Sequence, residues 1–398
     1  MSYFCAFLRG LFGLVTFFLM ALTIYFFICY NECNEVGARR GKMKIVVAID
    51  SFKGSASSRD LNAAVAGVVQ EVLPGAEVKS FAIADGGEGT LDALKDGLGG
   101  EMRAVETVDL LGRPIEAFYL QIGHQAFIES ASVVGIDKIC PSSKTFEEAS
   151  SYGLGALICD AVEQGSEEIY VTLGGSGTSD GGLGLLESFG FDGKTLRFSL
   201  PANWEKVQLV GLTDVQNPYA GQAGFARVFG KQKGGNPEQL LLKDRAAREF
   251  VAFVEKETGL DLQAIPGTGA AGGLGAALVL LGGRLEAGFD RVASIVGLEE
   301  AMADADLVIT GEGRLDSQSR AGKVPYGVAQ LAKKQGIPAI AVCGAIAEDA
   351  DWIWEDFLSV FSIQTRVLPL EEAMEPEKTL ANLAFVTRNI LRTVVGTS

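Results

Sequence analysis

The chain has 398 residues and a net charge of −16; 48% of its residues are hydrophobic, 21% are charged, and 50 are glycine. That is long and apolar enough for two or three buried cores, and so much glycine without a collagen period fits many tight strand-to-helix turns. An acidic body offers no basic face to neutralise phosphates, which argues against nucleic acid as a partner. The six cysteines include no Cys-x-x-Cys pair, so structural zinc is not expected and the thiols read as reduced and mostly buried. Any triad chemistry would rest on His124, the single histidine, for which a structural or surface role is expected instead.

Residues 1–42 stand apart. Gly10 to Asn31 is a run of 22 residues without a charge, long enough to cross a bilayer as a helix. Arg39, Arg40 and Lys42 follow it, and the positive-inside tendency would then leave the body in the cytoplasm. Residues 11–30 are a candidate membrane tether. A cleaved leader is a second reading, although the stretch is long for one. Met43 directly precedes the first core strand, so a misassigned upstream start is a third.

From Met43 the pattern of strand, glycine-rich polar loop and helix repeats. Lys44–Ile49 is an apolar run ending at Asp50. Ser57 to Asp60 reads as a capping box, and Leu61, Ala64, Val65, Val68 and Val72 follow helical spacing up to the stop at Pro74-Gly75. Glu77 to Ile83 predicts a second strand ending at Asp85-Gly86-Gly87-Glu88-Gly89-Thr90. Glu168 to Leu173 predicts another, which runs into Gly174-Gly175-Ser176-Gly177-Thr178-Ser179-Asp180-Gly181-Gly182. Gly267-Thr268-Gly269-Ala270-Ala271-Gly272 satisfies GxGxxG, but the residues before it make a poor strand. Close packing before a helix over 274–281 is therefore expected, not a dinucleotide site. Leu307 to Thr310 is a strand ending at Gly311-Glu312-Gly313-Arg314-Leu315-Asp316, and Pro325 suits the first turn of the next helix. Ile337 to Cys343 and Phe357 to Ile363 look like buried strands, and a last helix covers residues 377–395.

This alternation predicts an α/β fold with a mainly parallel sheet covered by helices on both faces. Residues 101–289, where the alternation is less regular, read as a second α/β domain inserted into one made of residues 43–100 and 290–398. Ligands of such sheets bind beyond the carboxyl ends of the strands, where the loops bearing Asp50, Asp85, Asp180 and Asp316 fall. Phosphoryl transfer needs amides for phosphate oxygens, a cation, carboxylates for Mg²⁺ and a base for the hydroxyl proton. No GxxxxGK[ST] occurs, which excludes a P-loop. The four loops can supply the same parts from Lys53, Lys323, their carboxylates and their bare glycine amides.

At these loops the sequence resembles the bacterial type I glycerate kinases. The resemblance covers residues 43 to 398. It is carried by Asp50-Ser51-Phe52-Lys53-Gly54, the Ala84–Thr90 and Gly174–Gly182 loops, Asp214-Val215-Gln216-Asn217-Pro218, Phe229 to Gly234, the run from Pro266, and the run from Thr310 through Lys323 to Pro325. It implies a flavodoxin-like domain with an inserted second domain, use of ATP and Mg²⁺, and formation of 2-phosphoglycerate from D-glycerate. It also implies site roles. Lys53 and Lys323 would hold phosphate or the glycerate carboxylate, and Asp85 and Glu88 would hold Mg²⁺. Asp180 or Asp316 would be the base. Asp50, Ser51, Gly86, Gly87, Gly174, Gly175, Ser176, Thr178, Asn217 and Arg314 would complete the nucleotide and substrate contacts. The sequence departs from the family pattern at Val133-Val134-Gly135, Leu154, Ala156, Gly177, Ser179, Tyr219 and Lys231. These departures bear on substrate affinity, so a kinase for a related small hydroxy acid, or a catalytically inactive ligand-binding regulator of the same fold, is the rival expectation.

Overall fold

The computed structural model describes residues 43–395. The N-terminal segment with its candidate tether at 11–30 lies outside the described residues. Among those described, no helix is long and apolar enough to cross a membrane.

Among the described residues, thirteen strands form two large sheets and one small one. The first sheet is wholly parallel and has the order β13-β11-β9-β1-β2. It uses β1 (Lys44–Ile49), β2 (Glu77–Ser80), β9 (Leu307–Gly311), β11 (Ala339–Cys343) and β13 (Ser359–Ser362). The second sheet has the order β3-β4-β5-β6-β7-β8 and uses the intervening chain: β3 (Glu101–Val108), β4 (Pro114–Ile122), β5 (Gln125–Glu129), β6 (Glu168–Thr172), β7 (Gln208–Thr213) and β8 (Arg284–Ala287). The short strands β10 (Arg314–Leu315) and β12 (Ala345–Ile346) pair with each other beyond the ends of β9 and β11.

The first sheet follows from its sequence. β1 is buried from Ile45 to Ile49 on both faces, as a near-continuous apolar run in a parallel sheet should be. Helix Ser58–Val72 begins where Ser57 accepts the amide of Asp60, and its Leu61, Val65, Val68 and Val69 are buried. They pack with Leu383, Ile390 and Leu391 of helix Pro376–Val395 on one face of β1.

The second sheet is mixed, which the regular β-α reading did not anticipate. β3, β4 and β5 form an antiparallel meander, and only β5 to β8 are parallel. Tight turns make the meander. Asp109 accepts the amides of Leu111 and Arg113, and Gly123 (φ +58°) with His124 joins β4 to β5. His124 is exposed there, its Nδ1 3.3 Å from the Gly165 carbonyl oxygen.

β2 ends three residues before the predicted Ile83. The Ile83 amide donates to the Ser58 hydroxyl instead of to the sheet, so the chain peels away toward Asp85. The two sheets meet where Gly86 faces Gly288. A Cβ on Gly86 would lie 2.6 Å from the Gly288 Cα, so only glycine allows that approach. A shared core of Val46, Leu94, Phe127, Tyr170, Val210 and Phe289 lies behind this contact. Helix Thr90–Leu98 packs on β4 and β5 and touches helix Ser58–Val72.

Candidate active site

Three strand ends aim carboxylates at one crevice. Asp50 directly follows β1, Asp214 directly follows β7, and Glu312 directly follows β9. Buried Asn62 and Ser58 clamp the end of β1. The Asn62 amide accepts from the Ile49 N–H and donates to the Ile49 carbonyl, and the Ser58 hydroxyl donates to the same carbonyl. Asp50 is thereby held rigidly, with its own amide on the Gly311 carbonyl and its Oδ1 accepting the Ser51 amide at 2.7 Å.

These groups share one electrostatic field. Burial, with Asp85 adding to it, pushes the Asp50 carboxyl up to about 8, while the Ser51 amide and Lys53 oppose the rise. Burial pushes Glu312 up to about 7, with the Ser319 hydroxyl and Lys323 opposing and Asp316 and Asp85 reinforcing. Asp214 is also raised, first by burial and then by Asp85. Lys323 Nζ stands 3.8 Å from Glu312 Oε2, and Glu312 Oε1 is buried with no hydrogen-bond partner among the described residues.

Three clefts open from this crevice, and Lys53 lines all of them. The first, about 460 Å³, contains Asp50, Ser51, Asp85, Glu312, Arg314, Asp316 and Lys323. The second, about 550 Å³, runs along Glu88, Asp92, Asp96 and Glu129. The third, about 330 Å³, is bounded by Asp85, Gly87, Glu88, Gly174, Gly175, Ser176, Asp214 and Lys233. Expected residues from both sheets are thus brought together.

The glycine loop after β6 is braced from behind. The Gly177 amide donates to the Val134 carbonyl and the Thr178 amide to the Ser176 hydroxyl. The amides of Gly174, Gly175 and Ser176 carry no such bond among the described residues, which leaves three donors bordering the third cleft. Thr178 is fully buried and lines none of the three clefts. The GxGxxG segment supports this loop through close packing, as expected: a Cβ on Gly272 would strike the Thr178 carbonyl, and Ser176 donates to the Ala271 carbonyl. Tyr219, one of the family departures, is buried, and its hydroxyl donates to the Gly181 carbonyl at 2.8 Å.

Besides Thr178, three expected residues line none of the clefts: Gly86, which packs on Gly288 between the sheets, Asp180 and Asn217. Asp180 lines none of the three clefts, because its carboxylate is fully engaged. Oδ2 accepts from the Ser151 amide, the Ser151 hydroxyl and the Gly184 amide, and Oδ1 accepts from the Gly182 amide. Its carboxylate holds the first turn of helix Leu183–Ser188 and ties it to the chain at Ser151. Asn217 also lines none of them. Its side-chain amide donates to the Ala223 carbonyl and closes the 217–223 turn. Leu154 and Ala156 lie in the first turn of helix Leu154–Glu163, with Leu154 wholly buried in the second sheet's core.

Asp214, Lys233 and Glu312 were not singled out from the sequence. Asp214 and Glu312 are the first residues after parallel strands, the position Asp50 holds, and that offset was the available signal. Lys233 carried none. It is 3% exposed, and its Nζ donates to the Thr178 carbonyl at 2.6 Å. Burial lowers its pKa to about 8, against the pull of Asp180.

The donor set suits Mg²⁺. Among the described residues no three His, Cys, Asp or Glu side chains can hold a metal by themselves. Mg²⁺, however, characteristically takes one or two carboxylates and completes its shell with water and substrate phosphates. The unpartnered Glu312 oxygen, with Asp85 and Asp214 bordering the same crevice, supplies such carboxylates.

The glycerate kinase family model matches residues 45–395. The chain belongs to the glycerate kinase family. A glycerate 2-kinase of Escherichia coli K12 is 35% identical over 375 residues, covering 88% of this chain and 98% of that protein. A glycerate kinase of Halalkalibacterium halodurans is 35% identical over 369 residues, covering 87% and 97%. A crystal structure from Salmonella typhimurium LT2 named as a glycerate kinase 2 superposes with a TM-score of 0.77 at 34% identity, over 89% of this chain and 98% of that one. Its family places the protein among phosphotransferases acting on an alcohol group, with ATP as co-substrate.

Proposed function

We propose that this protein transfers the γ-phosphoryl group of ATP to the 2-hydroxyl of D-glycerate, releasing 2-phosphoglycerate and ADP. The observation that carries this reading is the junction at Lys53. One cation borders three clefts, with carboxylates from both sheets around it and free amides opposite. Such a site can hold two anionic substrates end to end and stabilise charge on the group passing between them.

Lys53 would meet the transferring phosphoryl group, with Lys323 and Arg314 on phosphate or carboxylate oxygens beside it. Asp85, together with Glu88 or Glu312, would hold Mg²⁺, which when bound neutralises phosphate charge. Asp316 is the better base because it lines the first cleft, where its Oδ1 accepts the Gln318 amide and its Oδ2 stands 3.8 Å from Arg314, whereas Asp180 lines none of the three clefts. As the glycerate hydroxyl oxygen attacks the γ-phosphorus and the bond to ADP breaks, the Asp316 carboxylate would accept the hydroxyl proton. The amides of Gly174, Gly175 and Ser176 would receive an anionic group of a substrate. We take residues 43–100 with 290–398 and residues 101–289 as the two lobes, with helix Thr90–Leu98 lying between their sheets. We also infer a cytoplasmic body.

A coupled assay of ADP release over a panel of small hydroxy acids tests the reaction. D-glycerate should give the highest kcat/KM. A higher value for another acid would replace the substrate, and no release with any acid would leave the ligand-binding regulator.

A further inference from the structure

The first cleft has two chemically different halves. One holds Asp50, Lys53, Glu312 and Lys323. The other is walled by Phe52, Ile363, Leu370, Ala373 and Met374. Gly313 and Gly344, which add no side chains, also line it. Leu370 is 74% exposed beside this half-empty slot. The cleft also lies where the first sheet's order reverses. From β1 the chain passes to β2 on one side and returns as β9 on the other, and ligands of open parallel sheets settle at such a point.

The two substrates of the proposed reaction differ in what they can bury there. Glycerate is a three-carbon polyol acid with almost no apolar surface, whereas ATP carries a flat purine attached to a polyanionic tail. A slot with an apolar half leading to cations matches only the second. Resting on the kinase reading above, we propose that ATP binds in the first cleft with its purine between Phe52 and the Leu370–Met374 segment. Its phosphates then run toward Lys323 and Lys53, and glycerate is left to the third cleft with Lys233 and the free amides of Gly174 to Ser176, its hydroxyl at the junction of Lys53 and Asp85 through which that cleft meets the Asp316 side of the first. Apolar walls make this a site for purine nucleotides as a class, with Ser55, Gln364 and Thr379 as polar side chains in the same cleft.

Calorimetric titration with Mg–ATP and steady-state kinetics test this on two variants of the full chain. Ala373→Trp fills the slot, and Leu370→Asp places a charge at its exposed rim, where folding does not depend on the leucine. Ala373→Trp should weaken ATP binding by about tenfold or more and Leu370→Asp by about threefold. The KM for glycerate should stay within about twofold in both. Inorganic tripolyphosphate, which lacks the base, should bind wild type and variants alike. Unchanged ATP affinity in both variants overturns the placement, as does a rise confined to the KM for glycerate. Failure of the wild type to bind ATP at all overturns the kinase reading and the placement with it.

Discussion

Asp50 and Asp180 each stand in a polar loop beyond a buried parallel strand, and each is followed by a helix. Their surroundings are opposite. Asp50 accepts only from neighbouring Ser51 and is otherwise buried against Asp85, so its carboxyl is pushed up to about 8. Asp180 accepts four hydrogen bonds from Ser151, Gly182 and Gly184. A carboxylate held by four donors stabilises a local structure. One that is desolvated and poorly satisfied reduces stability and is left available to a ligand. On the proposed reading the crevice of the first sheet is the reactive side, and the glycine loop of the second sheet is the wall facing it.

Replacing Lys53 by Met should break the reactive side most severely. It removes the cation common to all three clefts, and turnover should fall by about 10²-fold or more, roughly 2.7 kcal/mol of transition-state stabilisation. The melting temperature should hardly move. Near-wild-type turnover in an ADP-release assay would remove Lys53 from the chemistry.

A paired substitution sharpens the contrast directly. Asp180→Ala should cost about 2–3 kcal/mol of unfolding free energy in urea, with kcat of the folded protein changed less than about threefold. Asp316→Asn should do the reverse, lowering kcat by about tenfold or more while leaving Mg–ATP affinity and stability nearly intact. Loss of Mg–ATP affinity in Asp316→Asn would recast it as a metal ligand.

The third effect is smaller and has a definite sign. With its carboxyl pushed up to about 8, folded Asp50 keeps its proton to that pH, whereas the unfolded carboxyl ionises near 3.8, the ordinary value for an aspartate. The folded state thus holds more protons between these values, so this residue makes stability fall as pH rises from about 4 to 8. Asp50→Asn should flatten that part of the profile and melt higher than wild type at pH 8, with little difference at pH 4. Parallel profiles for the two proteins would show that Asp50 is ionised in the fold.

The smallest change is expected at the family departure on the far side of the wall. Ala156 is half-buried in helix Leu154–Glu163 and lines none of the three clefts. Ala156→Glu should therefore leave the KM for glycerate within about twofold. A larger shift would mean that the second sheet's helices transmit to the site.

Much of the first sheet could be read from local pattern. β1 spans the predicted Lys44–Ile49, the cap at Ser57 forms as expected, and the last helix ends where its apolar spacing ends. These features depend on periodicity and on side chains within four residues of each other, which a linear sequence displays. The loops of the site were legible for the same reason, because glycine and aspartate after an apolar run mark strand ends. The meander of β3 to β5 was not, since turns at Asp109 and Gly123 settle its pairing and its strands alternate only weakly. Which carboxylate is free and which is capped depends on Ser151, Ser58, Asn62 and Gly311, residues distant in sequence or carried on other elements. Desolvation and hydrogen-bond satisfaction are properties of the packed neighbourhood, so the division between Asp50 and Asp180, and the burial of Lys233 behind the glycine loop, came from the tertiary structure alone.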